Sequence, residues 1–202
     1  MLYKITGTTS PWWECGSEVP HGITGHLGRN EGGRLQLERP GSSIPSFTVP
    51  ALSRLIVTAA IRSELLDEFS QLEFVAVEYA NVVPLNWHEW NPQASLPEKE
   101  QNYFMPDYIM DVDELDDMLI DEMPEIFELV PSTEIYLEMA GGGLRTAENV
   151  DPDIHFFDGI YTNANPHVRS AIISDTAKKW IESRQPEWLK YDQLDCDAEN
   201  AV

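Results

Sequence analysis

The sequence predicts an α+β fold of mixed, mainly antiparallel sheets with a few amphipathic helices, and three observations carry that prediction. Short apolar or alternating segments recur along the chain, bounded by Gly and Pro, in the manner of strands. Only three modest stretches show a 3.6-residue apolar period. The order strand, cap, helix, strand occurs twice, as a weakly repeated unit. With 42% hydrophobic and 10% aromatic residues, the chain has the material for a core despite a formal net charge of -22.

The elements follow in order. Residues 2–6 alternate as a short strand. A Gly/Pro-rich stretch then runs to Pro50 and reads as turns around short strands such as 34–38, with Trp12, Trp13 and Phe47 anchoring the loops. Residues 54–57 form an apolar strand, Thr58 is placed to cap a helix, and Ile61, Leu65, Leu66 and Phe69 share one helical face because their spacings of four, one and three follow the helical period. Residues 72–78 resume a strand. A Pro-broken segment, 84–106, separates this unit from a strongly acidic run. Strand 133–139 ends at Gly141, Gly142 and Gly143. The second unit comprises an apolar strand at 171–173, a cap at Ser174 and Asp175, a helix with Ala177, Trp180 and Ile181 inward, and a closing strand at 187–191. Aligning Ile56, Val57 and Thr58 with Ile172, Ile173 and Ser174 places Leu65 on Ile181. A two-residue deletion then places Glu73, Phe74 and Val75 on Glu187, Trp188 and Leu189. The expected organisation is a single domain over 1–195: a loop-rich part at 1–50, the first unit at 52–79, an acidic helix at 107–123, the second unit at 170–191, and a flexible tail at 196–202.

Charge is the most informative feature for function. Between Glu100 and Gly143 stand thirteen acidic residues and no Lys or Arg, ten of them within 107–128. Such crowding destabilises the compact state by self-repulsion, and its field attracts basic partners while repelling nucleic acid and anionic lipid. On the predicted helix Val112, Leu115 and Leu119 share one face, with Asp113, Asp116, Asp117 and Asp121 elsewhere, and Pro124 ends it. The partner-binding residues expected from charge are Asp111, Asp113, Glu114, Asp116, Asp117, Asp121 and Glu122. A solvated helix face is the plainer alternative.

No comparable catalytic signature is present. Asp111 and Asp113 begin a calcium-loop spacing, but Leu115 stands where an oxygen ligand belongs and Asp116 where the turn needs Gly. Cys15, His21 and His26 lack the tight C-x2-4-C pair of zinc sites, so no metal and no cofactor are expected. There is no G-x-S-x-G, and Gly141–Gly143 lacks the Lys and Ser/Thr of a phosphate-binding loop. The six Trp residues fit core packing better than a ligand platform. An enzymatic alternative would assemble a site from His88, Glu89, His155 and Asp158. Two cysteines exclude a disulfide framework. The N-terminus lacks a signal-peptide apolar core and no stretch is apolar enough to span a bilayer, so a cytoplasmic location is expected.

The two units, together with Phe156, Phe157, Asp158, Gly159 and Ile160 leading to Ser170–Thr176 and then Trp188 and Leu189, resemble bacterial immunity proteins of polymorphic toxin systems, the group that includes the double-CxxCG-motif proteins. The likeness covers about the last fifty residues and, more loosely, 52–79. Glu14, Cys15 and Gly16 resemble the tail of one CxxCG motif, but Trp12 stands where its first Cys would be, and there is no second motif. The resemblance implies a non-enzymatic antidote that binds a cognate toxin domain and occludes its active site or substrate approach. The charge reading agrees, since an acidic face steers towards a basic cleft. An acidic adaptor domain for some other basic protein is the alternative within the same class.

Overall fold

Strand pairing in this protein is decided by two central strands that each sit between the ends of a strand–helix–strand crossover. A computed structural model describes residues 1–7, 25–40, 44–49, 54–83, 117–140, 143–146, 150–162, 169–184 and 189–196. In the first unit, β5 (Ile56–Thr58) leads into α1 (Ala59–Glu68) and on to β6 (Glu73–Ala76). Strand β8 (Ile126–Val130) lies between β5 and β6, antiparallel to both, and β4 (Phe47–Thr48) completes the four-stranded order β4-β5-β8-β6. In the second unit, β12 (Arg169–Ser174), α3 (Asp175–Glu182) and β13 (Leu189–Gln193) repeat the pattern. Here β1 (Leu2–Gly7) is the antiparallel strand between them, and β11 (Phe156–Tyr161) flanks β12 as β4 flanks β5.

The registers coincide. Thr58 and Ser174 face Ile126 and Leu2, and Val57 and Ile173 face Phe127 and Tyr3. On the flanking strands, Phe47 faces Val57 as Phe156 faces Ile173. A packing detail repeats as well. The Arg62 guanidinium lies 4.6 Å from the Phe127 ring centroid and 5.8 Å from that of Phe74. Lys178, one unit later, lies 5.0 Å from Tyr3 and 5.2 Å from Tyr191, the residues in the corresponding places. The predicted repeat is therefore present, with one correction. Through the shared central strands Phe74 corresponds to Tyr191, not Trp188, because Phe74 faces Leu129 and Tyr191 faces Ile5. Nine residues separate Leu65 from Phe74 and ten separate Ile181 from Tyr191, an insertion of one instead of a deletion of two.

Mixed sheets complete the α+β architecture. The second unit extends through β9 (Glu134–Ala140), β10 (Gly143–Thr146) and β14 (Asp195–Cys196) into a seven-stranded sheet of order β13-β1-β12-β11-β9-β10-β14. Its β9–β11 and β10–β14 pairs are parallel and its other pairs antiparallel. A three-stranded sheet of order β2-β3-β7 joins β2 (Gly25–Arg29), β3 (Leu35–Pro40) and β7 (Glu78–Val83). Gly28, at φ 95°, sits at the β2 bulge, where a left-handed residue lets the register shift. Gly159 on β11 is required for space: a Cβ there would lie 2.7 Å from Leu137 and 2.8 Å from Ile172.

Both units build one core. Val57, Ile61, Leu65 and Leu129 from the first pack with Ile5, Ile173, Ala177 and Ile181 from the second. Each buried Val, Leu or Ile side chain among them contributes about 1.5–3 kcal/mol. Phe69 and Trp180 interlock across the units, their ring centroids 5.7 Å apart, and Trp180 also meets Phe47 edge-on. The outer sheet faces carry further clusters, Leu35, Leu37 and Ile56 on one and Phe157, Ile172 and Leu194 on the other. Leu66 is 45% exposed, against the inward place its spacing predicts, because the sheet contacts only the narrow Ile61–Leu65 stripe of α1. Among the described residues no helix is long and apolar enough to cross a membrane.

Candidate functional site

The acidic segment is described only at its C-terminal end. Asp111, Asp113, Glu114 and Asp116 lie outside the described residues. Asp117 opens α2 (Asp117–Glu122), and Asp121 and Glu122 on it are exposed. The chain after α2 is tied down: Met123 is buried, and the Tyr79 hydroxyl donates to the Pro124 carbonyl at 3.0 Å. The two described carboxylates of the expected patch thus stand in solvent beside an anchored segment.

A second acidic place is a cavity of about 530 Å³ where the first unit meets the seven-stranded sheet. Chain geometry places it. Helix α1 ends at Phe69, whose N–H donates to the Leu65 carbonyl, and residues 69–72 turn the chain into β6. That turn passes through Gln71 at φ 64°, a left-handed conformation uncommon for a side chain with a Cβ. The turn forms one wall, and Pro131 and Ser132, between β8 and β9, form another. The third is the segment entering β11, where the Asp153 N–H donates to the Asp151 carboxylate at 2.9 Å. Asp151 and Asp153 are exposed, and no Lys or Arg is among the described residues that line the cavity. Three rings line it too: Phe69 meets Phe156 and His155 edge-on, each at 5.2 Å between centroids.

The third feature is a chain of charges through the interior. Glu128, 2% exposed, receives both Arg29 terminal nitrogens at 2.7 and 2.9 Å. Its carboxylate also lies 3.6 Å from Arg54, which donates to one oxygen of Asp158 at 2.6 and 3.1 Å. Asp158 is 1% exposed and is approached by Arg169 at 3.6 Å, which reaches Glu134 at 3.4 Å. Burial works against the Arg54 charge, but the Asp158 hydrogen bond and the charges of Asp158, Glu128 and Glu134 outweigh it and hold the guanidinium pKa above its ordinary value. Three guanidiniums against three carboxylates give a balanced clamp joining all three sheets. Guanidiniums stay protonated throughout the physiological range, so this clamp offers no proton to transfer.

His155 and Asp158, from the enzymatic alternative, are recruited to different tasks. His155 shares a 2.9 Å hydrogen bond with Ser174, which also accepts from the Ala177 N–H as cap of α3. Asp158 belongs to Arg54. His88 and Glu89 lie outside the described residues, as do Cys15 and His21, while His26 lies on β2. Among the described residues no group of three or more His, Cys, Asp or Glu side chains is placed to hold a metal ion. Sequence reasoning missed the cavity because its walls come from three segments each unremarkable alone. The one available signal was the unneutralised acid pair, Asp151 and Asp153, just before an aromatic strand. No protein-family model, curated protein or solved structure matches this chain.

Proposed function

We propose that this protein works by stoichiometric binding, as an immunity protein that covers the basic cleft of a cognate toxin domain. The observation that carries this reading is how the chain distributes its charge. At least nine of its thirteen lysines and arginines form ion pairs within the chain. Among the described residues the two buried carboxylates, Glu128 and Asp158, are held by arginines, while Asp67, Glu68, Asp121, Glu122, Asp151 and Asp153 face solvent. Among the described residues the excess acidic charge is thus at the surface, and the field of a chain carrying a net charge of -22 raises its encounter rate with a basic protein.

Capture from native host cells followed by co-expression tests the reading. A basic polypeptide is expected, toxic when expressed alone and harmless when expressed with this protein. Its association should slow strongly with added salt while dissociation changes less, since exposed charges beyond about 8 Å are screened at physiological ionic strength. An acidic partner, or association indifferent to salt, would remove the electrostatic basis. A basic partner without toxicity would make the protein an adaptor.

A further inference from the structure

We infer that the cavity at the end of α1 receives a cationic side chain, a guanidinium or ammonium group, presented by the protein partner. This rests on the binding reading above and adds a place and a chemistry to it, at residues outside the acidic segment 107–128. Three separate features of the cavity favour a cation. The first is its size and lining: about 530 Å³ lies within the range of ligand pockets, and Phe69, His155 and Phe156 give it an aromatic side next to its polar one.

The second is its charge. Asp151 and Asp153 stand exposed on one lip, with no Lys or Arg among the described lining residues to neutralise them. Across from them, Ser70, Gln71 and Ser132 add neutral acceptors suited to the several N–H groups of a guanidinium.

The third is the helix itself. The C-terminal end of α1 carries the negative end of its dipole, where cationic residues stabilise and anionic ones destabilise. The last turn has no basic residue and instead carries exposed Asp67 and Glu68. Phe69, the residue that ends this helix, is itself part of the cavity wall. The negative end of the helix therefore lies at the cavity wall, with the exposed carboxylates of Asp67 and Glu68 in the turn just before it. A cation arriving there relieves the repulsion that folding leaves in place.

The test uses the whole protein and L-argininamide as probe, followed by backbone-amide NMR shifts, with protamine binding measured in parallel as a generic basic polypeptide. Saturable shifts are expected at Ser70, Gln71, Ser132 and Asp153. Replacing Asp151→Asn and Asp153→Asn together should weaken argininamide about tenfold, a loss of about 1.4 kcal/mol. The Asn carbonyl at 151 still accepts from the Asp153 N–H, so the turn is kept. Glu31→Gln, in the exposed turn after β2, should change argininamide affinity little. Norleucinamide, which lacks the side-chain cation, should leave the cavity amides unshifted. Shifts scattered over the acidic surface without saturation, or unaltered in the double variant, would overturn the inference. If protamine still binds in a salt-sensitive manner under that outcome, the binding reading survives and only the cavity fails. If neither probe binds, both fail.

Discussion

Arg54 is the residue on which the interior charges depend. It bridges Glu128 and Asp158, and removing it leaves Asp158 with Arg169 alone at 3.6 Å. Breaking a buried pair from one side typically costs about 3–5 kcal/mol, so Arg54→Ala should lower the urea midpoint by a corresponding amount. Replacing the pair together, Arg54→Met with Asp158→Leu, should cost much less, because no buried charge is then stranded. Tyr191 offers the opposite sign. Its hydroxyl is buried with no hydrogen-bond partner among the described residues, and burial, with Glu182 adding to it, raises its pKa above the ordinary 10.0. The folded state thus holds the phenol proton more tightly than the unfolded chain. Its contribution is complete below pH 10.0 and is lost as pH rises beyond that value. Tyr191→Phe should gain about 1 kcal/mol near neutrality and lose less stability on moving to about pH 11, read by thermal melts at both pH values.

At the scale of elements, the same local signal led to different outcomes at the two helix starts. Thr58 and Ser174 are both extended residues preceding a helix, but only the Ser174 hydroxyl accepts an N–H of the first turn. Ser174→Ala should therefore destabilise by about 1 kcal/mol and Thr58→Ala by less than about 0.5 kcal/mol, measured by denaturant titration. Strand register shows a comparable limit. Matching Glu73, Phe74 and Val75 to Glu187, Trp188 and Leu189 paired Phe74 with Trp188, yet Tyr191 occupies the matching place. Register in a sheet is set by which residues the neighbouring strand must bury, and β8 and β1 lie far away in sequence from the strands they order. Leu66 was misplaced for a related reason: a 3.6-residue period shows which residues share a face, and the partner sheet decides how wide a face is covered.

For the molecule as a whole, β1 has the greatest leverage. It sits between β12 and β13, and Ile5, on β1, is 1% exposed in the shared core. Deleting residues 1–7 should abolish cooperative unfolding, seen as loss of a single sharp thermal transition, although the segment is only seven residues at the end of the chain. The amino-acid sequence by itself determined the α+β class, the two strand–helix–strand units, their inward residues Leu65 and Ile181 and the acidic excess, because periodicity and composition act over a few neighbouring residues. Tertiary structure alone decided which distant strand completes each unit. It also decided that Glu128 and Asp158, two carboxylates among thirty-five acidic residues, are buried against arginines, and that Asp151 and Asp153 border a cavity with Phe69. A carboxylate carries the same charge in any sequence context. Whether that charge is desolvated, paired or left facing a cavity depends on chain segments that sequence proximity does not bring together.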